Sequence, residues 1–153
     1  MSVSIWSEQA PAEIIISIKP RFAELILDGR KTVELRRRSV RVPANSRVWI
    51  YSTLPAGRVV GTVRVERIAS GKPKSLWAAY GAELGISRGE FEQYFDGCAL
   101  ACAIELTRPA RLGREVCLSE IRKELGGYQP PQFFNRLGQS HPLLRVLKRA
   151  ATN

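Results

Sequence analysis

Histidine is nearly absent from this sequence, with His141 the only one. Histidine is the usual general base of Ser-His-Asp and Cys-His arrangements, and one copy inside a Ser-His-Pro turn does not supply it. Cysteine is scarce and odd in number: Cys98, Cys102 and Cys117. With so few His and Cys, a zinc site lacks ligands, and neither a metal nor another cofactor is expected. Long apolar runs are missing too. The longest, Ile14 to Ile18 with Ser17 inside it, falls far short of the roughly 18 residues of a membrane-crossing helix. The polar start MSVSIWSEQAPAE does not resemble a charged-then-apolar leader. A cytoplasmic protein without a membrane partner is therefore expected, whose chemistry, if any, rests on Lys, Glu, Tyr, Ser or Thr.

Acidic residues are also in deficit. Fourteen Asp and Glu face 24 Lys and Arg, for a formal net charge of +10. Eighteen of the cations are arginine, whose planar fork suits phosphates and base edges. The excess is uneven: residues 14–67 hold 12 basic and 4 acidic side chains, residues 68–153 hold 12 and 8, and residues 1–13 are net negative. A polyanionic partner is expected, against the plainer reading of a solvated basic surface. The 153 residues, 44% hydrophobic and 25% charged, suit one domain able to bury a core without disulfides. Its bounds are expected at 13–150, behind a flexible head at 1–12.

The apolar patterning gives an order of elements. EIIISIK (13–19) is β-branched and bounded by Pro20, which predicts a buried strand; RFAELILDG then has helical spacing and stops at Gly29. TVELRRRSVRV, RVWIYST (47–53) and RVVGTVRVERIAS (58–70) read as strands, with VPANS (42–46) and LPAG (54–57) as turns. KSLWAAYGAELG and SRGEFEQYF read as helices, the second opened by a Ser87–Glu90 capping box. CALACAIELTRP reads as a strand ended by Pro109, with Cys98, Leu100, Cys102, Ile104 and Leu106 on one core face. LSEIRKELGG (118–127) predicts a helix, PPQFFNRLG (130–138) a turn of helix, and HPLLRVLKR a terminal strand. The expected class is α+β, around a partly closed, mainly antiparallel barrel.

GRKTVELRRR (29–38) concentrates the unusual chemistry, with five positive charges among residues 30–38. As a strand it sends Glu34, Arg36 and Arg38 to one face and Val33, Leu35 and Arg37 to the other. Gly29 permits a sharp turn bringing Lys31 near a ligand, and Glu34 can pair with Lys31, Lys19 or an arginine. The plainer reading is an edge strand kept soluble by charge. Trp49 and Tyr51 alternate on one strand, and Tyr51 with Ser52 lies at its end, where a base can stack or the pair can equally be core.

GRKTVELR fits G-x-K-x-x-E-x-R, and this segment resembles the ASCH domain family of the PUA-like superfamily. SIKPRFAELILDG is similar to that family's opening strand and helix, and PPQFFNRL resembles the tail of a bacterial ASCH subgroup regarded as transcriptional regulators. The resemblance implies a PUA-like barrel of five or six strands with flanking helices. It also implies a cleft lined by Lys31, Glu34 and Arg36, with Lys19 facing it. Arg21, Arg38, Tyr51 and Ser52 join these as candidate ligand contacts. Family members include RNA-binding modules, a DNA-contacting coactivator domain, a proposed ribonuclease and an amidohydrolase that deacetylates N4-acetylcytidine. That amidohydrolase works with the motif lysine, a threonine three residues on and a later glutamate. Lys31 matches the first, Glu34 stands in the threonine's place, and Glu83 is the nearest later glutamate.

The expected function is binding of RNA, or of DNA or a nucleotide-like small molecule, with a regulatory role. The alternatives are hydrolysis of RNA phosphodiesters or of an acylated nucleoside, with Lys31, Glu34 and Glu83 as candidate catalytic residues, and an interaction domain for acidic proteins. If charge dominates, neutralising roughly four to six phosphates gives a slope of log affinity against log salt on the order of −3 to −5. A salt titration of RNA binding checks this, and salt-independent binding points instead to an apolar ligand.

Overall fold

The computed structural model describes residues 1–4 and 9–152. Residues 5–8 of the expected N-terminal head lie outside this description. The strands are β1 (Ser2–Ser4), β2 (Glu13–Ile18), β3 (Val33–Arg36), β4 (Arg47–Ser52), β5 (Arg58–Gly71), β6 (Ala101–Cys117) and β7 (Phe134–Leu137). The helices are α1 (Pro20–Leu27), α2 (Pro73–Tyr80), α3 (Arg88–Tyr94), α4 (Leu118–Glu124) and α5 (Pro142–Ala151), with a 3-10 turn at Gly81–Glu83. Six strands run in the order β3-β6-β5-β4-β2-β7, and β1 adds to β5. All pairings are antiparallel except β2 with β4. The sheet curls into a half-barrel with flanking helices, as the expected α+β class requires.

Period-2 alternation sorts the core. Ile14, Ile16 and Ile18 of β2 and Val48 and Ile50 of β4 fill the barrel interior. Ile15, Trp49 and Tyr51 face outward and are covered by Leu143, Leu144, Val146, Leu147 and Ala150 of α5. On the β3 side, Val33 and Leu35 face outward beneath Leu76 and Tyr80 of α2 and Phe91 of α3. Strands buried on both faces read as continuous apolar runs, which is why EIIISI has no polar face. Among the described residues no helix is long and apolar enough to cross a membrane.

Five expectations need correction. HPLLRVLKR is helix α5: its apolar residues recur at i, i+1, i+3, i+4 and i+7, Pro142 sits in the first turn, and His141 Nδ1 accepts the Leu143 N–H at 3.1 Å. PPQFFNRLG forms no helix; Phe134–Leu137 instead pairs with the free edge of β2. Pro109 does not end its strand. Thr62 pairs with Ala110 and Arg64 with Thr107, so Arg108 and Pro109 oppose Val63 alone. In such a bulge the missing proline N–H breaks no ladder bond, and Arg108 takes φ 53° there. The strand begins only at Ala101, so Leu100 is exposed at 64% rather than core. The segment after Arg36 also leaves the sheet early, and Val40 and Val42 drop into the barrel interior.

Gly61 sets how closely α1 lies on the sheet. A Cβ there meets Leu27 Cδ2 at 2.5 Å and the Ala110 carbonyl at 2.6 Å, one of them backbone. Gly61→Ala should therefore lower stability by about 1–3 kcal/mol through overpacking. Urea denaturation checks this, and an unchanged midpoint would show that α1 can shift freely.

Candidate functional site

At the end of the barrel where β2 runs into α1, one cleft of about 520 Å³ opens between α1, β3 and α3. The chain reaches it by short steps. Pro20 starts α1 straight after β2, which leaves Lys19 and Arg21 at the rim. Gly29, at φ 78°, ends the helix and turns the chain so that Lys31 enters the wall. Alternation in β3 then points Glu34 and Arg36 inward, opposite the packed Val33 and Leu35.

Three charges form the floor. Lys31 is 2% exposed and Glu34 7%. Lys31 Nζ lies 3.8 Å from Glu34 Oε1 and donates to the Leu84 carbonyl at 2.5 Å. Arg36 Nη2 donates to Glu34 Oε2 at 3.3 Å and to the Ser17 carbonyl at 2.9 Å, joining β3 to β2 across the open side of the barrel. Glu34 Oε1 also accepts the Leu35 N–H at 2.9 Å. Arg36 Nε is buried without an acceptor. Loss of water around Lys31 pushes its pKa down; Glu34 opposes this, while Arg36 and Arg21 add to it.

Aromatic rings line the walls and stack on cations. Lys31 Nζ stands 5.1 Å from the Phe22 ring, Arg36 4.8 Å from Phe133, and Arg37 4.8 Å from Tyr94. The Tyr94 hydroxyl donates to the Leu35 carbonyl at 3.4 Å, and burial raises its pKa. Across the mouth, Arg21 of α1 donates to Glu90 of α3 at 2.6 Å. Among the described residues no group of three His, Cys, Asp or Glu side chains is placed to hold a metal ion.

Of the residues singled out from the sequence, Lys19, Arg21, Lys31, Glu34 and Arg36 share this wall. Arg38 is exposed just beyond it. Tyr51 and Ser52 are not on it. Tyr51 is 4% exposed and packs outward in the cluster under α5, so its ring offers no face to a base, and burial raises its pKa. Ser52 is buried at 3%, and its neighbour Thr53 lines the cleft instead. Glu83 contributes only a backbone carbonyl, which accepts the Thr32 N–H at 3.2 Å. Phe22, Gln93, Tyr94 and Gln132 also line the cleft, although nothing in the sequence around them marks a site. Gln93 and Tyr94 reach it because α3 folds back over β3, and Gln132 because the segment before β7 runs beside β2, neither of which local spacing encodes. Gly85, at φ 70°, faces the Lys31 side chain closely enough that a Cβ there would lie 3.3 Å from the Lys31 Cβ.

The ASCH domain family model matches residues 16–110. The chain is 38% identical over 120 residues to an "ASCH domain-containing ribonuclease" of Zymomonas mobilis subsp. mobilis, covering 78% of this chain and 80% of that one. The crystal structure of ASCH from Zymomonas mobilis matches with a TM-score of 0.82 at 33% identity, over 90% of this chain and 94% of that one. A more distant likeness, 27% identical over 124 residues, is to the large ribosomal subunit protein uL22 of Ureaplasma parvum, of which it spans 40%.

Burial of Lys31 beside one carboxylate has a thermodynamic consequence. Its folded pKa lies below the ordinary 10.5, so between those values the unfolded chain binds more protons and stability rises with pH. Glu34→Ala leaves the ammonium buried without its carboxylate and should cost about 3–5 kcal/mol near neutral pH. The loss should shrink as pH rises toward 10.5, because the buried amine of the folded protein has by then lost its proton and no longer needs the carboxylate. Denaturant titrations at about pH 7 and about pH 10 check this, and a pH-independent loss would mean that Glu34 acts only through Arg36 and the backbone.

Proposed function

We propose that this chain, which belongs to the ASCH domain family, binds RNA by taking one nucleotide unit into the cleft between α1, β3 and α3. The observation that carries the reading is the floor of that cleft. A buried lysine, Lys31, and a half-buried arginine, Arg36, share one carboxylate beneath aromatic walls. Lys19, Arg21 and Arg37 add three more positive charges to the lining, against one further acid, Glu90. Such a site favours a ligand that is both anionic and planar, as a nucleotide is: phosphate on the guanidinium, base against a ring. RNA is preferred over DNA because the 38% identical relative is named a ribonuclease. Binding alone suffices for a regulatory role in the cytoplasm.

A second reading, hydrolysis of the bound RNA, is favoured by that relative's name and by Lys31 itself. An amine whose charge is disfavoured by burial is a better proton acceptor near neutrality than an ordinary lysine. Arg36 beside it is placed to stabilise charge developing on a phosphate. Deacylation of a nucleoside such as N4-acetylcytidine is less well supported. Glu34 occupies the threonine's place, and the Glu83 side chain is not on the cleft wall.

Lys31→Ala and Arg36→Ala should each weaken binding of single-stranded RNA by roughly 1–3 kcal/mol, as lost charge-assisted contacts do. Arg149→Ala, whose guanidinium is held 2.9 Å from Glu124 on the far helices, should leave it unchanged. Fluorescence anisotropy with labelled RNA checks this, and equal losses in all three would mean a diffuse field without a cleft. If RNA is also cleaved, Lys31→Ala should abolish turnover, and the wild-type rate should rise with pH and level off below the ordinary lysine value of 10.5.

A further inference from the structure

The +10 charge is unevenly spread over the surface. Most arginines are neutralised locally: Arg30 by Asp28, Arg47 by Glu13, Arg58 by Glu115, Arg67 by Glu105, Arg88 by Glu92, Arg114 by Glu120 and Arg149 by Glu124. Arg111 is held by both Glu24 and Asp28. Arg64, Arg108, Arg122 and Arg145 have no carboxylate partner among the described residues, and on the open side of the barrel three more such arginines, Arg37, Arg38 and Arg136, lie along one path. Residues 35–46 descend there from the cleft toward the start of β4, and residues 125–140 carry β7 along the edge of β2. Neither segment contains an Asp or a Glu. The two are tied together where Arg136 of β7 donates to the Arg41 carbonyl. Of the acids that border the two segments in sequence, Glu34 is buried and engaged by Lys31 and Arg36, and Glu124 is engaged by Arg149.

Arg37, Arg38 and Arg136 are exposed along this strip. Among the described residues none of them is paired with a carboxylate; Arg37 lies over Tyr94, and Arg136 reaches only a carbonyl. The strip begins at the cleft, since Arg37 lines both. It follows the six residues of β2, whose length is roughly 20 Å at the usual rise per residue. That is long enough for several consecutive phosphates of an extended strand. A duplex is excluded from this path, because the unit at the cleft must separate from a partner base to enter between rings.

We infer that the acid-free strip Arg37–Arg38–Arg136 is a second binding surface, which holds the backbone of a single-stranded RNA leaving the cleft. The ligand class is then an oligonucleotide rather than a mononucleotide. This rests on the cleft being the RNA site, but its own signature is dependence on length. Oligouridylates of about three and about nine nucleotides, titrated by anisotropy at one low salt concentration, separate the two claims. The longer strand should bind the wild type roughly tenfold or more tightly than the shorter. The double variant Arg38→Ala with Arg136→Ala should lose that gain, lower the salt slope by about 1 to 2, and leave the short strand unchanged. The double glutamine variant, Arg38→Gln with Arg136→Gln, keeps stems and donors at both positions and should lose the same gain, which excludes loosening of β7 as the cause. Equal affinity at both lengths, or a length gain that both double variants keep, would overturn the inference. If Arg36→Ala leaves both strands unaffected while the double variants abolish the length gain, the strip stands and the cleft assignment fails.

Discussion

The barrel does not close on itself, and a side chain holds its open side together. β3 pairs with β6 on one edge only, and its other edge meets β2 through the Arg36 guanidinium on the Ser17 carbonyl. That bond exists because Glu34 holds Arg36 from within its own strand while balancing Lys31 from the turn before it. Aliphatic residues at 34 and 36 would extend the barrel core and remove the charged floor. Charge at these inward positions costs desolvation, and one carboxylate between two cations offsets part of it. The cleft is thus a consequence of how the sheet fails to close.

The same constraint shapes the exposed backbone of β3. Free strand edges invite pairing with other chains. Here Leu35 is satisfied from both sides: its N–H by the Glu34 carboxylate, its carbonyl by the Tyr94 hydroxyl of α3. The helix that builds the wall of the cleft therefore also protects its edge. Its start is fixed by the Ser87–Glu90 capping box, and Glu90 turns from that cap toward Arg21 across the mouth. Glu90 thus ties the mouth of the cleft to the cap of α3.

Much of this was legible in the chain. The inward pair Glu34 and Arg36, the turn at Gly29 and the capping box follow from spacing alone, because period 2 and the S-x-x-E pattern are local. The stretch after α4 was not. Leu143, Leu144, Val146, Leu147 and Ala150 have helical spacing that a strand reading of HPLLRVLKR overlooked. β7 is a strand only because β2 offers it an edge, which is a tertiary fact. Tyr51 shows the limit of motif reading. Its alternation with Trp49 was visible, but which face α5 would cover was not, and that decides between a stacking platform and core. Gln93, Tyr94 and Gln132 reach the cleft from elements distant in sequence, so nothing in their own neighbourhoods marks them.

Arg36 stands at the centre of this account, and its Nε–H, buried without an acceptor, is a direct reporter. The decisive measurement is an NMR titration of the folded protein with single-stranded RNA, following the Arg36 Nε–H and the Lys31 side-chain resonances. Both should shift in a saturable manner with the midpoint seen by anisotropy, while the Arg149 Nε–H stays in place. RNA that binds to saturation and leaves Arg36 and Lys31 unperturbed would contradict the assignment of this cleft.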